Sequence, residues 1–465
     1  MTLVNDVHSR LNETRVHRIL PVDSVEAVVR GIAEARAAGL AVAVAGSRHA
    51  MGGQQFATDA MLLDLRPLRR ILAFDPVAGT VEVEAGIEWP ELIEGVLDLQ
   101  KELSSKWGIA QKQTGADRLT LGGALGANAH GRGLSLRPLI GDVESFVLVG
   151  ADGVARRSSR TESPELFRLA VGGYGLFGVV TSITLRLSPR RKLERVVELG
   201  WMDGLMAAVD ARVRDGFLYG DFQFSIDPRS DDFLNRGVFS CYRPVDLETP
   251  VPEGQRELGD EDWLELLHLA HADKGRAFDL YAEHYLESSG QIYWSDTHQL
   301  TPYLDGYHAG LDTRLGSAHA ATEVITELYV PRPHLAAFMA EMADDLSRHE
   351  VEVIYGTVRL IEQDDEGFLP WARERYACVV LNLCTTHSTS GKEKSAAAFR
   401  RLIDLALARG GSFFLTYHRH ARRDQIEAAY PRFREFLAKK REHDPEERFQ
   451  SDWYRHHRAM FAEGT

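Results

Sequence analysis

The sequence predicts an α+β chain in two parts with a returning tail. Three observations predict it. Up to about residue 190, short apolar runs alternate with amphipathic helical segments. After that, long β-branched runs are interleaved with longer helices. Near residue 424 a last helical, aromatic-rich stretch begins. These shifts divide the chain at residues 1–190, 191–420 and 421–465, with the charged triplet Arg190, Arg191 and Lys192 at the first seam.

Taken in order, residues 15–22 read as a strand. Asp23 and Glu26 are spaced as a capping box before a helix carrying Val25, Val28, Val29 and Ile32, which Gly39 closes. Residues 40–46 and 61–65 are short apolar runs, each expected to be a buried strand, joined by a loop over 47–60. Residues 80–86 alternate apolar and charged, as a half-exposed strand does, and Pro90 predicts a helix start ahead of 91–99 because the first turn needs no N–H there. Asp152-Gly153 between the runs 145–150 and 154–157 signals a hairpin. Residues 163–170 read as a capped helix and 179–187 as a β-branched strand.

In the second part, strands are predicted at 221–226, 323–330, 354–359, 376–383 and 413–420, and helices at 333–349 and 392–409. This makes a mainly antiparallel sheet covered by helices. Residues 264–315 hold Tyr281, Tyr285, Tyr293, Trp294, Tyr303 and Tyr307 among histidines and acids, in no regular pattern. The tail reads as a helix over 424–436 kinked at Pro431, followed by an aromatic stretch over 449–454 too apolar to remain in water.

Composition excludes several functions. With 54 basic against 68 acidic residues in 465, the net charge of −14 has the wrong sign for a nucleic-acid partner. Cys241, Cys378 and Cys384 are too few and too scattered for a disulfide framework or a zinc site. No apolar run is long enough for a membrane span, and the expectation is a cytoplasmic protein.

Three glycine-bearing motifs carry the chemistry. Gly173, Gly175 and Gly178 form a literal G-x-G-x-x-G, but a helix precedes it and a strand follows, the reverse of a nicotinamide-dinucleotide site. Residues 120–133 are dominated by glycine and alanine, which bare backbone N–H groups to a ligand or permit tight packing. His49, in the glycine-flanked run 46–53, is either a loop histidine bonded to a carbonyl or a nucleophilic imidazole beside a ligand.

The ordered set of Gly46-Ser47-Arg48-His49, the Gly-Gly loop ending in His130-Gly131, and Gly175 to Thr181 leading into a strand resembles the PCMH-type FAD-binding domain of the vanillyl-alcohol oxidase superfamily. The likeness covers about residues 15–190 and parts of the tail, and is nearest the alditol and aldonolactone oxidases. It implies a two-part FAD-binding domain, a substrate-cap domain and a tail that folds back on the first. Gly46, Ser47, Arg48, Ala50 and Met51 would hold the FAD pyrophosphate through backbone amides, and His49 matches the histidine that many members link covalently to the flavin. Gly115, Thr120, Gly123, Ala127, Asn128 and His130 would lie along the ribityl chain and ring edge, with Gly178 and Val180 toward the adenine. Residues 113–118 hold no cysteine for a second covalent link.

The resemblance further implies hydride removal from a CH–OH carbon of a polyol, sugar, lactone or other alcohol, with oxygen or another acceptor taking the electrons. Reduction of a C=C bond and non-catalytic flavin binding are the alternatives. Tyr355, Thr357 and Arg359 share one strand face, and Thr357 stands where the polyol and lactone oxidases carry an acid. Tyr417 or His418, at the end of the apolar run 413–416, is the expected group at the substrate, His418 as general base. Glu323 and Glu327 share a strand face; one could line the pocket, and the expected reading is the solvent face of an edge strand.

Overall fold

The computed structural model describes residues 1–301 and 304–462, so Tyr303 lies outside the described residues. The amino-terminal part opens on a parallel three-stranded sheet in which Met61–Asp64 is flanked by Arg18–Pro21 and Val42–Ala45. Helix Val25–Ala37 covers it with Val28 and Ile32. Its cap is Ser24 rather than Asp23: the Ser24 hydroxyl accepts from the Ala27 amide at 3.2 Å, so the capping spacing read from the sequence falls one residue early.

A five-stranded antiparallel sheet follows, in the order Ala155–Ser159, Val143–Val149, Val179–Arg186, Thr80–Glu84, Ile71–Asp75. Asp152 and Gly153 turn the predicted hairpin, Gly153 at a φ of +79°. Helix Pro164–Ala170 starts on its proline. The Ser163 side chain makes no capping bond because its backbone is left-handed. The glycines at 173–178 run from that helix into Val179–Arg186, so no helix follows them.

The second part is one antiparallel sheet of eight strands, ordered Ile292–Trp294, Lys192–Trp201, Arg236–Val245, Tyr219–Phe224, Val353–Ile361, Tyr376–Thr386, Ala321–Pro331, Ser412–Phe413. Helices Leu335–Arg348 and Thr389–Leu407 pack on it, burying Phe338, Met342, Phe399 and Leu402. The stretch without a legible pattern contains helices Asp260–Ala272, Lys274–Glu287 and Tyr307–Leu315. The first of these fully buries only Ala270, so it has almost no apolar stripe to read.

Two further expectations change. The strand expected at 413–420 is paired only over Ser412–Phe413. Beyond it the Leu415 carbonyl is taken by the Gln54 and Trp453 side chains, which draws the chain off the sheet. The helix expected at 424–436 is two, Arg423–Ala429 and Phe433–His443, because Pro431 breaks it. The tail then returns to the first sheet: Phe449 bridges Val42 in parallel, Asp452 bonds the Thr58 amide and hydroxyl, and helix Asp452–Ala462 buries Trp453 against Tyr174. Among the described residues no helix is long and apolar enough to cross a membrane.

Candidate active site

A cleft enclosing about 1590 Å³, its open mouth included, runs between the amino-terminal part and one face of the eight-stranded sheet. Gly46, Ser47, Arg48, His49, Ala50 and Met51 form one wall. Gly115, Thr120, Gly123, Ala127 and His130 form a second, and Gly178 and Val180 lie at one end. Arg359 and Tyr417 close it from the sheet side. The sequence motifs, distant along the chain, converge here.

The walls fit a long cofactor. Gly46 must be glycine, since a Cβ there would sit 2.1 Å from Thr120 Oγ1. Gly126, by contrast, has no protein atom within 4 Å of a built Cβ, so a methyl group there would enter open space along the cleft. Among the described residues, the amides of Ser47, Arg48, Ala50 and Met51 donate to no backbone carbonyl. This leaves donors for the oxygens of a pyrophosphate. The Ser47 hydroxyl is spent on Glu88 at 2.5 Å, so Ser47 can serve only through its backbone.

His49 Nδ1 lies 3.0 Å from His8 Nε2. Burial, and then the neighbouring His8, lower the His49 imidazole to about 3, and burial lowers His8 to about 4. Both rings are therefore neutral near pH 7, the state in which an imidazole is a nucleophile.

On the sheet side the chemistry centres on Glu327, whose strand face the sequence reads as the solvent face of an edge strand rather than as a pocket wall. Glu327 is 5% exposed and is the one carboxylate among the described residues lining the cleft. Its Oε2 lies 2.9 Å from His130 Nε2 and accepts from the Tyr329 hydroxyl at 2.8 Å, and its Oε1 accepts from the Tyr417 hydroxyl at 2.5 Å. Burial alone would raise this carboxyl, but the His130 ring and the Tyr417 hydroxyl bring it down to about 2. Burial, and then Glu327, push the Tyr417 phenol well above its ordinary range, so Tyr417 donates and does not titrate.

Glu323 is also buried, held by His271 and His308 at 3.2 and 2.9 Å, so neither acid faces solvent. The apolar spacing around them was correct. What the sequence lacked was the neighbouring part of the molecule that covers this face.

Three candidates stand off the cleft. His418 lies elsewhere, partly buried, stacked on His420 with ring centroids 5.4 Å apart and neither ring nitrogen hydrogen-bonded, because the chain has left the sheet by that point. The Asn128 side chain is consumed structurally, donating to Asp364 at 3.0 Å and accepting from the Ile140 amide at 2.9 Å. Tyr355 shares the Arg359 face but is not on the cleft wall, and burial raises its phenol to about 12.

Comparison with known proteins agrees with this geometry. Residues 17–159 match the family described as FAD binding domain. The chain is 28% identical over 227 residues to an uncharacterized oxidoreductase of the fasciation locus of Rhodococcoides fascians, covering 47% of this chain and 49% of that protein. It is 28% identical over 192 residues to the L-gulonolactone oxidase of Bos taurus, covering 41% and 42%. With the L-gulono-1,4-lactone dehydrogenase of Mycobacterium tuberculosis the identity is 23% over 424 residues, 91% of this chain and 92% of that one. The first two are thus matched over less than half of their own length. FAD is the cofactor for which the cleft is built: residues 17–159 are similar to an FAD binding domain, and the chain is similar to proteins named L-gulonolactone oxidase and L-gulono-1,4-lactone dehydrogenase.

Proposed function

We propose that the chain is an FAD-dependent oxidoreductase that oxidises a CH–OH carbon of a small sugar-derived alcohol or lactone and passes the electrons to oxygen or another acceptor. The observation that carries the reading is Glu327, a buried, ionised carboxylate on the wall of an FAD cleft, oriented by His130, Tyr329 and Tyr417. FAD, when bound, supplies the hydride acceptor. The chain's own residues then have separate tasks. Glu327 takes the hydroxyl proton, which becomes acidic as hydride leaves. Tyr417 and His130 fix the carboxylate, and Arg359, 8% exposed on the same wall, supplies positive charge where the reaction gathers negative charge. The neutral His49, set by His8, is the point at which we place a covalent flavin link.

The test is acid denaturation followed by peptide mass spectrometry. Flavin mass on the peptide carrying His49, together with anaerobic bleaching of the flavin by an alcohol or lactone, supports the reading. Flavin released intact removes the covalent link. Bound flavin that no alcohol or lactone bleaches, but that reduced nicotinamide does, replaces oxidation by reduction of a C=C bond.

A further inference from the structure

The sheet face that meets the cleft carries more positive charge than the amino-terminal part compensates. Cross-strand register places Arg359, Cys378 and Tyr329 in one row, and Thr357, Val380 and Glu327 in the next. Gln223 pairs Thr357, so Asp221, two residues away, shares the face of Arg359. Tyr219, Tyr242 and Arg195 continue that face as the following row. Arg132 joins it from the glycine loop just after His130: its carbonyl accepts from the Gly220 amide at 2.9 Å, and its guanidinium lies 5.2 Å from the Tyr242 ring centroid.

Three guanidinium groups, Arg132, Arg195 and Arg359, therefore converge on one face. Among the described residues, no carboxylate comes within 4.0 Å of any of them. The Nε of Arg132 and the Nε of Arg359 are buried with no hydrogen-bond partner, although Arg359 as a whole is more than nine-tenths buried. Asp221 is the carboxylate closest in the row, and its Oδ2 is engaged with the Thr357 hydroxyl at 3.5 Å. Lys112, the other buried cation nearby, is matched by Asp117 at 2.9 Å. Three positive charges against the two negative charges of Asp221 and Glu327 leave an excess of one. Arg132 Nη2 donates to the His298 carbonyl at 2.6 Å, and Arg195 donates to the Tyr242 hydroxyl at 3.0 Å and to Ser288 Oγ at 2.8 Å. A buried guanidinium nitrogen without an acceptor is nonetheless costly, and planar oxyanions match the guanidinium fork.

We propose that this face is an oxyanion subsite: the substrate carries a carboxylate or a phosphate ester, received by Arg359 at the cleft and backed by Arg132, while its CH–OH carbon is presented beside Glu327. The inference rests on the function proposed above and narrows its substrate to a hydroxy acid or an acidic sugar. In the reaction the C–H bond breaks and its hydrogen leaves with the electron pair as hydride to the flavin, the hydroxyl proton passes to Glu327, the carbon–oxygen bond becomes a carbonyl, and the oxyanion is unchanged. Arg195 stacks on Tyr242, Tyr285 and Tyr293 and acts as a positioning residue behind Arg132.

The experiment is calorimetric titration of the FAD-loaded protein with matched pairs: L-gulonate against L-gulono-1,4-lactone, D-gluconate against D-glucitol, and D-glucose 6-phosphate against D-glucose. The acid of at least one pair is expected to bind about tenfold or more tightly than its neutral partner. The preference should fall in Arg132→Gln and Arg359→Gln and return in part in the lysine variants. Preference in the carboxylate pairs or in the phosphate pair identifies the oxyanion. Equal or tighter binding of every neutral partner by the wild-type protein overturns the subsite. Calorimetry needs no turnover, so the two readings can fail separately. Acid preference without flavin bleaching by any alcohol, acid or lactone keeps the subsite and removes the oxidation; bleaching without acid preference does the opposite.

Discussion

Thr357 and Glu327 stand in the same cross-strand row with only Val380 between them. At position 357, where the resemblance implies an acid, the chain has threonine, and a carboxylate stands two strands away, at 327, on the same face and on the wall of the same cleft. A sheet face is a two-dimensional array, and a functional group can move along a row without leaving the site.

Glu327→Gln is expected to keep its bound FAD and fold while slowing anaerobic flavin reduction by about 10²- to 10⁴-fold, the ordinary range for a positioned base. Rapid-mixing absorbance at saturating substrate reads it. Reduction within threefold of wild type would remove Glu327 from proton transfer.

Tyr417→Phe removes one of the hydrogen bonds that hold Glu327 ionised. That bond favours the carboxylate, so its loss raises the carboxyl from about 2, and the acid limb of the reduction rate moves to higher pH. A pH profile of flavin reduction for both proteins checks this. A shift to lower pH, or none, contradicts it.

Gly126→Ala and Gly46→Ala separate cofactor fit from protein fit. At position 126 the added methyl meets no protein atom, so the apoprotein should melt close to wild type while its FAD occupancy falls. At 46 the methyl collides with Thr120, so stability and occupancy should fall together, with a stability loss of about 1–3 kcal/mol. Melting curves with and without added FAD distinguish the two.

His418→Leu should reduce the protein's sensitivity to acid. Burial lowers this imidazole to about 4, against about 6.5 in an unfolded chain. Between those values the unfolded chain binds a proton that the folded chain refuses, so stability is present above about pH 6.5 and is lost as the pH falls toward 4. The loss amounts to about 3 kcal/mol. Chemical denaturation at pH 7 and pH 4.5 should show a smaller difference in the variant than in the wild type.

What was legible in the sequence follows from how local its cause is. The loop at 46–53 and the run at 120–133 announce themselves because close backbone approach demands glycine within a few residues. Helix Val25–Ala37 and strand Val179–Arg186 were readable from period and branching alone. Glu327 was hidden because its burial depends on a covering part more than a hundred residues earlier in the chain, including His130. His418 misled because only two residues of its run pair with the sheet before side chains of Gln54 and Trp453 pull the backbone away. Asn128 looked like a ligand residue because it sits inside the glycine run, yet it serves as a left-handed helix cap that anchors Asp364.

The parallel bridge between Val42 and Phe449 ties chain order to the timing of assembly. During synthesis the first sheet leaves the ribosome some four hundred residues before the segment that completes it. Until then Val22, Val28, Ile32 and Met61 lack the Phe449 side chain that seals them, and the loop at 52–58 lacks the backbone and carboxylate partners supplied by residues 452 and 453. A nascent amino-terminal part would hold the cofactor loop unbraced, so stable FAD capture belongs to the finished chain and not to the emerging one.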